Sequence, residues 1–331
     1  MTMVASDLAT QPIGEAAPVA DGVWQLKLPV PFPLRFVSVY LAEGEEGWTL
    51  VDAGYDYPPA RDTWESGAAS VGCDLGQDVA RIVVTHLHPD HIGAARWLRE
   101  KTGAPVCMME REIPFARRLW GSSDAGPFEE YLVRHGMPSS MAAEATRVVR
   151  YPLPLPDEIF PLQPGGKVSL GENPASIIHA PGHADNQLVL HDEARGILFA
   201  ADHLLLGITP NIGLWPESEP HPLARYLESL ESMRGLGAKL ILPGHGSVFH
   251  DLDGRIGELI SHHEVRLETM RRVISGGPKT PYEVSRIVFR GTLTKQQRCF
   301  ALAETLAHLN HLVLEGRAEH AGDETVIYEA A

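Results

Sequence analysis

Four separate apolar runs in this chain end in residues drawn from one small set. "RIVVTHLHPDH" closes on His86, His88, Asp90 and His91, "ASIIHAPGH" on His183, "GILFAAD" on Asp202 and "KLILPGH" on His245. Short apolar runs bounded by turn residues read as buried strands. Imidazoles and carboxylates crowded at their ends need hydrogen-bond partners or a ligand, because burying them unpaired is costly. Strand ends feeding short loops on a rigid sheet are where active sites concentrate, so the seven side chains are expected to converge.

Seven is the right number for two metal ions sharing one bridging carboxylate. Neutral imidazole and carboxylate oxygen suit zinc, and also iron or manganese, and the lack of cysteine among the seven argues against a thiolate structural site. Pro89 biases His88 toward extended backbone, so His86 and His88 at i and i+2 can face the same way. Asp90 and His91 then fall at the start of a helix, displaced toward a second position.

The rest of the chain supplies two β-rich halves with helices between. "GVWQLKLP" and "RFVSVYLAEGEEGWTLVDAG" read as strands, with a hairpin at "EGEEG". "IVVTH" is a short buried strand, followed by a helix "IGAARWLREKTG" that stops at Gly103. Residues 110–150 are helix-prone, and "YPLPLPDEIFPLQPGG" is too rich in proline for regular structure and reads as extended. Strands return in "GKVSL", "PASIIHAPGH", "NQLVLHDEARGILFAADH" and "AKLILPGHG", with an amphipathic helix in "SEPHPLARYLESLESMRGLGA". From about residue 253 the texture changes to helix, turn, helix, ending in the strand-like "AEHAGDETVIYEA". The expected division is therefore a catalytic domain over 1–252 and a small helical domain over 253–331.

At 331 residues the chain exceeds the usual single domain, in keeping with that division. A net charge of −15 would repel a phosphate backbone and offers no general attraction to nucleic acid or anionic lipid. No Lys or Arg precedes Lys27, and neither a signal-peptide core nor a stretch of membrane-spanning length stands out. Cys73, Cys107 and Cys299 are too few and too scattered for a disulfide framework. A reducing cytoplasm is the expected setting.

Through "HLHPDH" (His86–His91), "PGH" at His183, Asp202, "PGHG" at His245 and "VDAG" at Asp52–Gly54, the sequence resembles the metallo-β-lactamase superfamily over roughly residues 20–250. The resemblance implies an αββα sandwich. It further implies that His86, His88 and His183 bind one metal, that Asp90, His91 and His245 bind the other, that Asp202 bridges them, and that Asp52 orients a ligand from behind. Zinc is expected at both positions, with iron or manganese as alternatives. Asp at the bridge together with His245 gives a glyoxalase II-like set. Two such metals would hold a bridging hydroxide for attack on a carbonyl or phosphoryl centre, with Asp90 as the catalytic residue that orients it and moves its proton. Residues 255–331 resemble the winged-helix-like domain of the β-lactamase-like protein 2 group. That stretch balances 10 Arg and Lys against 10 Asp and Glu, so docking to the catalytic domain or to a dimer partner is expected rather than DNA binding.

Three substrate classes compete: a thioester, ester or lactone of a small molecule first, a phosphodiester in RNA second, and a persulfide handled by a mononuclear iron dioxygenase third. Leu205 stands where acyl-homoserine lactonases carry a tyrosine, and the basic residues with which glyoxalase II holds glutathione have no clear counterpart. His179 and His203 are expected to support the site without ligating, and His221 to start a helix at the surface. Trp120, Trp215, Tyr55 and Tyr57 could line the site mouth or simply pack. Asp157 and Glu158 read as solvated charges, and the pairs Arg117–Arg118 and Arg271–Arg272 could grip an anionic substrate but are expected on exposed helix faces.

Overall fold

The computed structural model describes residues 12–121, 126–322 and 324–331. The N-terminal segment read for a secretory signal therefore begins, at residues 1–11, outside the described residues. The chain gathers into two compact units, each assembled from three stretches: Met1–Gly121, Leu153–Pro210 and Met233–Arg255 in one, Ser122–Pro152, Asn211–Ser232 and Ile256–Ala331 in the other.

The first unit is built on two sheets. Alternating residues near the N-terminus form the antiparallel strands β1 (Ala16–Ala20), β2 (Val23–Pro29), β3 (Phe36–Ala42) and β4 (Trp48–Val51). The "EGEEG" segment does form the hairpin between β3 and β4, which pair Tyr40 with Val51 and Ala42 with Thr49. Gly47 closes it at φ 113°, where an added Cβ would lie 2.4 Å from the Asp78 carbonyl oxygen, so only glycine fits. The parallel strands β5 (Val79–Val84), β6 (Val106–Met109) and β7 (Phe160–Leu162) extend this sheet in the order β1 to β7. The proline-rich segment, expected to hold no regular structure, in fact contributes the short edge strand β7, whose Phe160–Leu162 pair with Cys107–Met109.

The second sheet has the order β12-β11-β10-β9-β8, from β8 (Lys167–Leu170), β9 (Asn173–His179), β10 (Leu188–Asp192), β11 (Ile197–Ala201) and β12 (Leu240–Pro243). Tyr40, Val51 and Val83 of the first sheet share one buried cluster with Leu188, Leu190, Phe199 and Leu242 of the second. The Tyr40 and Phe199 rings meet edge to face at 5.5 Å. Each large side chain on such an interface contributes roughly 1.5–3 kcal/mol.

The opposite face of the first sheet is covered by helices. In α1 (Pro58–Ser70) Gly67 lies over Leu26, and the fully buried Trp64 donates its indole N–H to the Ala53 carbonyl at 2.8 Å. The short α2 (Pro89–Ile92) follows the histidine motif, with Pro89 at its first position. Then come α3 (Ala95–Thr102), capped by Gly103 at φ 69°, and α4 (Glu112–Gly121).

The second unit contains α5 (Gly126–Arg134), α6 (Ser139–Val149), α7 (Pro222–Ser232), α8 (Leu252–Ser275) from Ile256 onward, α9 (Pro281–Val288) and α10 (Lys295–Leu314), with the hairpin β13 (Ala318–Ala321) and β14 (Ile327–Ala330). Capping boxes at Thr280/Glu283 and Thr294/Gln297 start α9 and α10. The break expected at 252/253 falls within α8, near the point where the chain passes from one unit to the other, and residues 122–152 and 211–232 gather with the C-terminal stretch. The reason lies in α10, where Cys299, the run Ala301–Leu309 and Leu312 are all buried. A helix buried on every side needs neighbours on every side, and α6, α7 and α9 are among those that surround it. Among the described residues no helix is long and apolar enough to cross a membrane.

Candidate metal centre

Parallel pairing brings the polar strand ends together. β4 and β5 are parallel neighbours, so Asp52 and the His86–His91 loop leave the first sheet side by side. In the second sheet β11 and β12 are parallel, and β9 and β11 both pair antiparallel with β10, so His183, Asp202 and His245 leave in one direction. Cross-links then join the two sheets beside these ends: Leu188 N–H donates to the Thr85 carbonyl (3.0 Å), Ser38 N–H to the Gly244 carbonyl (2.7 Å), and the Tyr40 hydroxyl to the Pro243 carbonyl (2.7 Å).

All seven sequence-predicted side chains meet there. His86, His88 and His183 offer ring nitrogens to one point, and Asp90, His91 and His245 converge on a second, the atoms of each group lying within 4.8 Å of one another. His86 Nε2 is 3.1 Å from His88 Nδ1, which is 2.8 Å from His183 Nε2. Nitrogens held at 2.0–2.1 Å by a tetrahedral zinc would stand about 3.3 Å apart. Asp202 lies between the groups, with Oδ2 3.4 Å from both His183 Nε2 and His245 Nε2 and Oδ1 3.4 Å from His91 Nε2. Asp90 Oδ2 is 3.2 Å from His245 Nε2. His91 Nε2, His245 Nε2 and Asp202 Oδ1 are buried with no hydrogen-bond partner, and such orphaned atoms need an explanation. A cation bound between them supplies one, and the all-nitrogen and oxygen donor set suits zinc, iron or manganese.

The outward ring nitrogens are anchored. His91 Nδ1 donates to Asp52 Oδ2 (2.8 Å), and His245 Nδ1 to the Phe36 carbonyl (2.9 Å). Thr85 donates both its N–H and its hydroxyl to Asp52 (2.8 and 3.0 Å). With its hydrogen so committed, the Thr85 oxygen accepts from His86 Nδ1 at 3.0 Å. Each anchor fixes a tautomer whose inward nitrogen carries a lone pair. Asp52 thus braces a histidine of each group, directly for His91 and through Thr85 for His86. Thr85 was not legible beyond its place before His86, and nothing in the sequence marks the Phe36 carbonyl. Gly244 is required because a Cβ there would lie 2.2 Å from Asp202 Oδ1. Asp52 and Ala201 both adopt positive φ, at 66° and 45°, a conformation costing roughly 1–2 kcal/mol at the two strand ends that aim Asp52 and Asp202.

Electrostatics separate the two groups. Burial, with His183 adding to it, pushes His88 down to about 3, and burial also depresses His86, so these two present neutral nitrogens. For His245 burial acts the same way but is outweighed by Asp202 and Asp90, which lift it to about 10, and His91 is lifted by Asp202 and Asp52. Carboxylates here demand positive charge, which protons supply when no metal does.

The remaining sequence expectations resolve locally. His179 Nε2 donates to the Asp185 carbonyl at 3.1 Å, and His203 is fully buried. His221 precedes α7 but is half-buried, with Nδ1 2.8 Å from Asn310 Oδ1, so it is not a free surface residue. Trp120 is buried and donates to the Leu87 carbonyl at 2.8 Å, so it packs beneath the histidine motif instead of lining a mouth. Tyr55 and Tyr57 form a half-buried aromatic cluster with Phe32, and Trp215 packs with Phe128 and Phe300. Arg117 caps the carbonyls of Pro156 and Asp157, while Arg271 and Arg272 both pair with Glu268.

A family model for the metallo-beta-lactamase superfamily matches residues 32–245. The chain belongs to that superfamily. Membership makes it a metal-dependent hydrolase by class, and a second model, for the metallo-beta-lactamase-like C-terminal domain, matches residues 267–330. Two solved superfamily structures share the mixed α/β fold with its C-terminal helices. A metallo-beta-lactamase family protein from Thermus thermophilus is 34% identical with a TM-score of 0.84, covering 94% of this chain and 99% of its own. A beta-lactamase domain protein from Burkholderia ambifaria is 32% identical with a TM-score of 0.87, covering 97% and 96%. Among curated relatives, the probable metallo-hydrolase YqjP of Bacillus subtilis is 25% identical over 89% of this chain and 93% of its own length. The human acyl-coenzyme A thioesterase MBLAC2 is 28% identical over 64% and 74%.

Proposed function

We propose that the protein holds two zinc ions and hydrolyses a thioester of a small molecule. His86, His88 and His183 would hold one ion, Asp90, His91 and His245 the other, and Asp202 would bridge. The observation that carries this reading is the convergence of seven side chains with buried, unpartnered atoms at the centre. Asp202 at the bridge with His245 intact is the glyoxalase II-like set. The human thioesterase relative favours a thioester over a lactone or phosphodiester. Exposed apolar side chains give further support: Leu34 lies in the loop leading to Phe36, and Leu206 and Ile208 in the loop after Asp202, where they would receive an apolar acyl group.

Two bound cations would supply Lewis acidity toward the scissile carbonyl and acidify a water. The protein's own part is to aim and to move protons. Asp90 is the more exposed of the two central carboxylates, at 14% against 8% for Asp202, which suits it to take a proton from the attacking water and pass it to the leaving thiolate. Asp90 Oδ2 stands 3.2 Å from His245 Nε2, and the neutral His86 and His88 bring no competing charge to the first position.

The order α9, α10, β13, β14 supports a winged-helix-like reading of the last stretch, and its balanced charge favours docking or dimerisation over nucleic acid. Cys73, Cys107 and Cys299 are free thiols, which fits a reducing cytoplasm. The test is a metal-quantified preparation assayed against acyl-coenzyme A thioesters, lactones and RNA. Thioesterase activity lost in His88→Ala is expected; efficient RNA or lactone cleavage with no thioester turnover would reject the substrate class.

A further inference from the structure

Helix α4 carries two side chains that the proposed chemistry does not use, and both reach the backbone of one residue of the histidine motif, Leu87. Glu112 is fully buried, and its Oε1 accepts the Leu87 N–H at 3.1 Å. Trp120, from the other end of the helix, donates its indole N–H to the Leu87 carbonyl at 2.8 Å. Leu87 separates His86 from His88, so its peptide groups set how far apart and at what angle the two imidazoles stand. The second Glu112 oxygen, Oε2, accepts the Asn186 N–H at 3.2 Å, and Asn186 ends the loop that carries His183.

We propose that Glu112 and Trp120 are positioning residues for the three-histidine metal position: they hold the two peptide groups that flank the Leu87 Cα, one toward His86 and one toward His88, and Glu112 fastens them to the His183 loop. The inference rests on the reading that His86, His88 and His183 hold a metal. One carboxylate spans two loops from different sheets, which no neutral side chain of that size does as well. Glutamine offers a single acceptor oxygen, and its NH2 would confront the remaining backbone N–H, leaving a buried donor unmet. Burial pushes the Glu112 carboxyl up to about 7, against the pull of its two N–H donors; a group kept at that disadvantage in a dry site is held for what it fastens. The clamp does not touch Asp90, and the anchors of His91 and His245 run to Asp52 and Phe36 instead. The two metal positions should therefore respond differently.

The test is cobalt(II) titration of the full-length chain after chelator stripping, following d–d absorption and binding heat, with His88→Ala and His245→Ala assigning the two positions. Glu112→Gln should weaken the three-histidine position about 10- to 100-fold and leave the other within about threefold. Trp120→Phe, which keeps the packing and removes only the donor, should weaken the same position by a smaller factor. The double variant should lose less than the product of the two, since both act on adjacent peptide groups of one residue. Wild-type affinity at both positions in both variants, or equal weakening of both positions alongside a falling melting temperature, would overturn the clamp. If the parent chain itself binds no cobalt at a position sensitive to His88→Ala, the metal reading fails instead. Should Glu112→Gln not fold, Trp120→Phe decides alone.

Discussion

Buried histidines occur in both units, and they are satisfied in opposite ways. In the second unit His308 Nδ1 donates to the Glu304 carbonyl at 2.7 Å, and His308 Nε2 accepts from His263 Nδ1 at 3.0 Å. The chain of bonds runs from ring to ring to backbone, and the one atom of the pair left over, His263 Nε2, has no partner but, among the described residues, faces no second ring nitrogen or carboxylate group gathered at a common point. In the first unit the hydrogen bonds run outward, to Asp52, Thr85 and Phe36, and leave the inner nitrogens facing one another. What distinguishes a metal centre from a histidine-rich core is therefore the direction in which the bonds point. Burial and residue type are shared by both.

The largest contrast should come from Asp202→Ala. Removing the carboxylate between the two groups should empty or weaken both metal positions and abolish turnover, while the two-sheet core keeps the fold. Metal analysis and circular dichroism on one preparation check it; normal activity with full metal content would contradict the bridging role. Next in size is Asp90→Asn, which keeps the volume but loses charge and proton acceptor, and should cost several orders of magnitude in turnover. Asp52→Asn leaves every inward atom in place and should cost about 10- to 100-fold in metal affinity or activity, now at both positions because Asp52 reaches His91 directly and His86 through Thr85. Kinetics in which Asp52→Asn proved the worse of the two would reverse the order of the shells.

The second unit should answer to pH instead of metal. Burial, then each other's proximity, His262 and Arg266, pushes His263 down to about 2, and burial dominates in pushing His308 down to about 3. Above about pH 7.5 both rings are neutral folded or unfolded and contribute no pH dependence. As pH falls from there toward 3, the unfolded chain takes up protons that the folded rings refuse, and stability drops by up to about 1.4 kcal/mol per pH unit for each histidine. Urea titrations at pH 7 and pH 5 should show that loss in the parent, and a shallower one in His263→Phe with metal content unchanged. An unchanged slope would mean the pair titrates normally. The smallest expected signal is RNA binding, which at net charge −15 should be weak at physiological salt; tight, salt-sensitive binding would point to a local basic surface.

How much of this was legible in the sequence follows from what each feature depends on. The seven converging residues and the strand ends that carry them could be read because apolar runs closing on histidine or aspartate are a local pattern. The hairpin at Glu43–Gly47 and the stop at Gly103 were local too. The composition of the second unit was not: residues 122–152 and 211–232 join it where α10 is buried all round and is packed by other elements, a demand set by tertiary packing. The Phe36 carbonyl, Thr85 and Glu112 were missed for a related reason, since a hydrogen bond between residues far apart in sequence leaves no periodicity, and a backbone acceptor leaves no residue type at all.

The central claim is that the inward-facing atoms of the first unit hold two metal ions. Elemental analysis of the purified chain, with turnover measured aerobically and anaerobically, tests it most directly. The account predicts close to two zinc ions per chain, a fall in content with Asp202→Ala but not with His263→Phe, and hydrolysis indifferent to oxygen. A single tightly bound iron with oxygen-dependent turnover would contradict it.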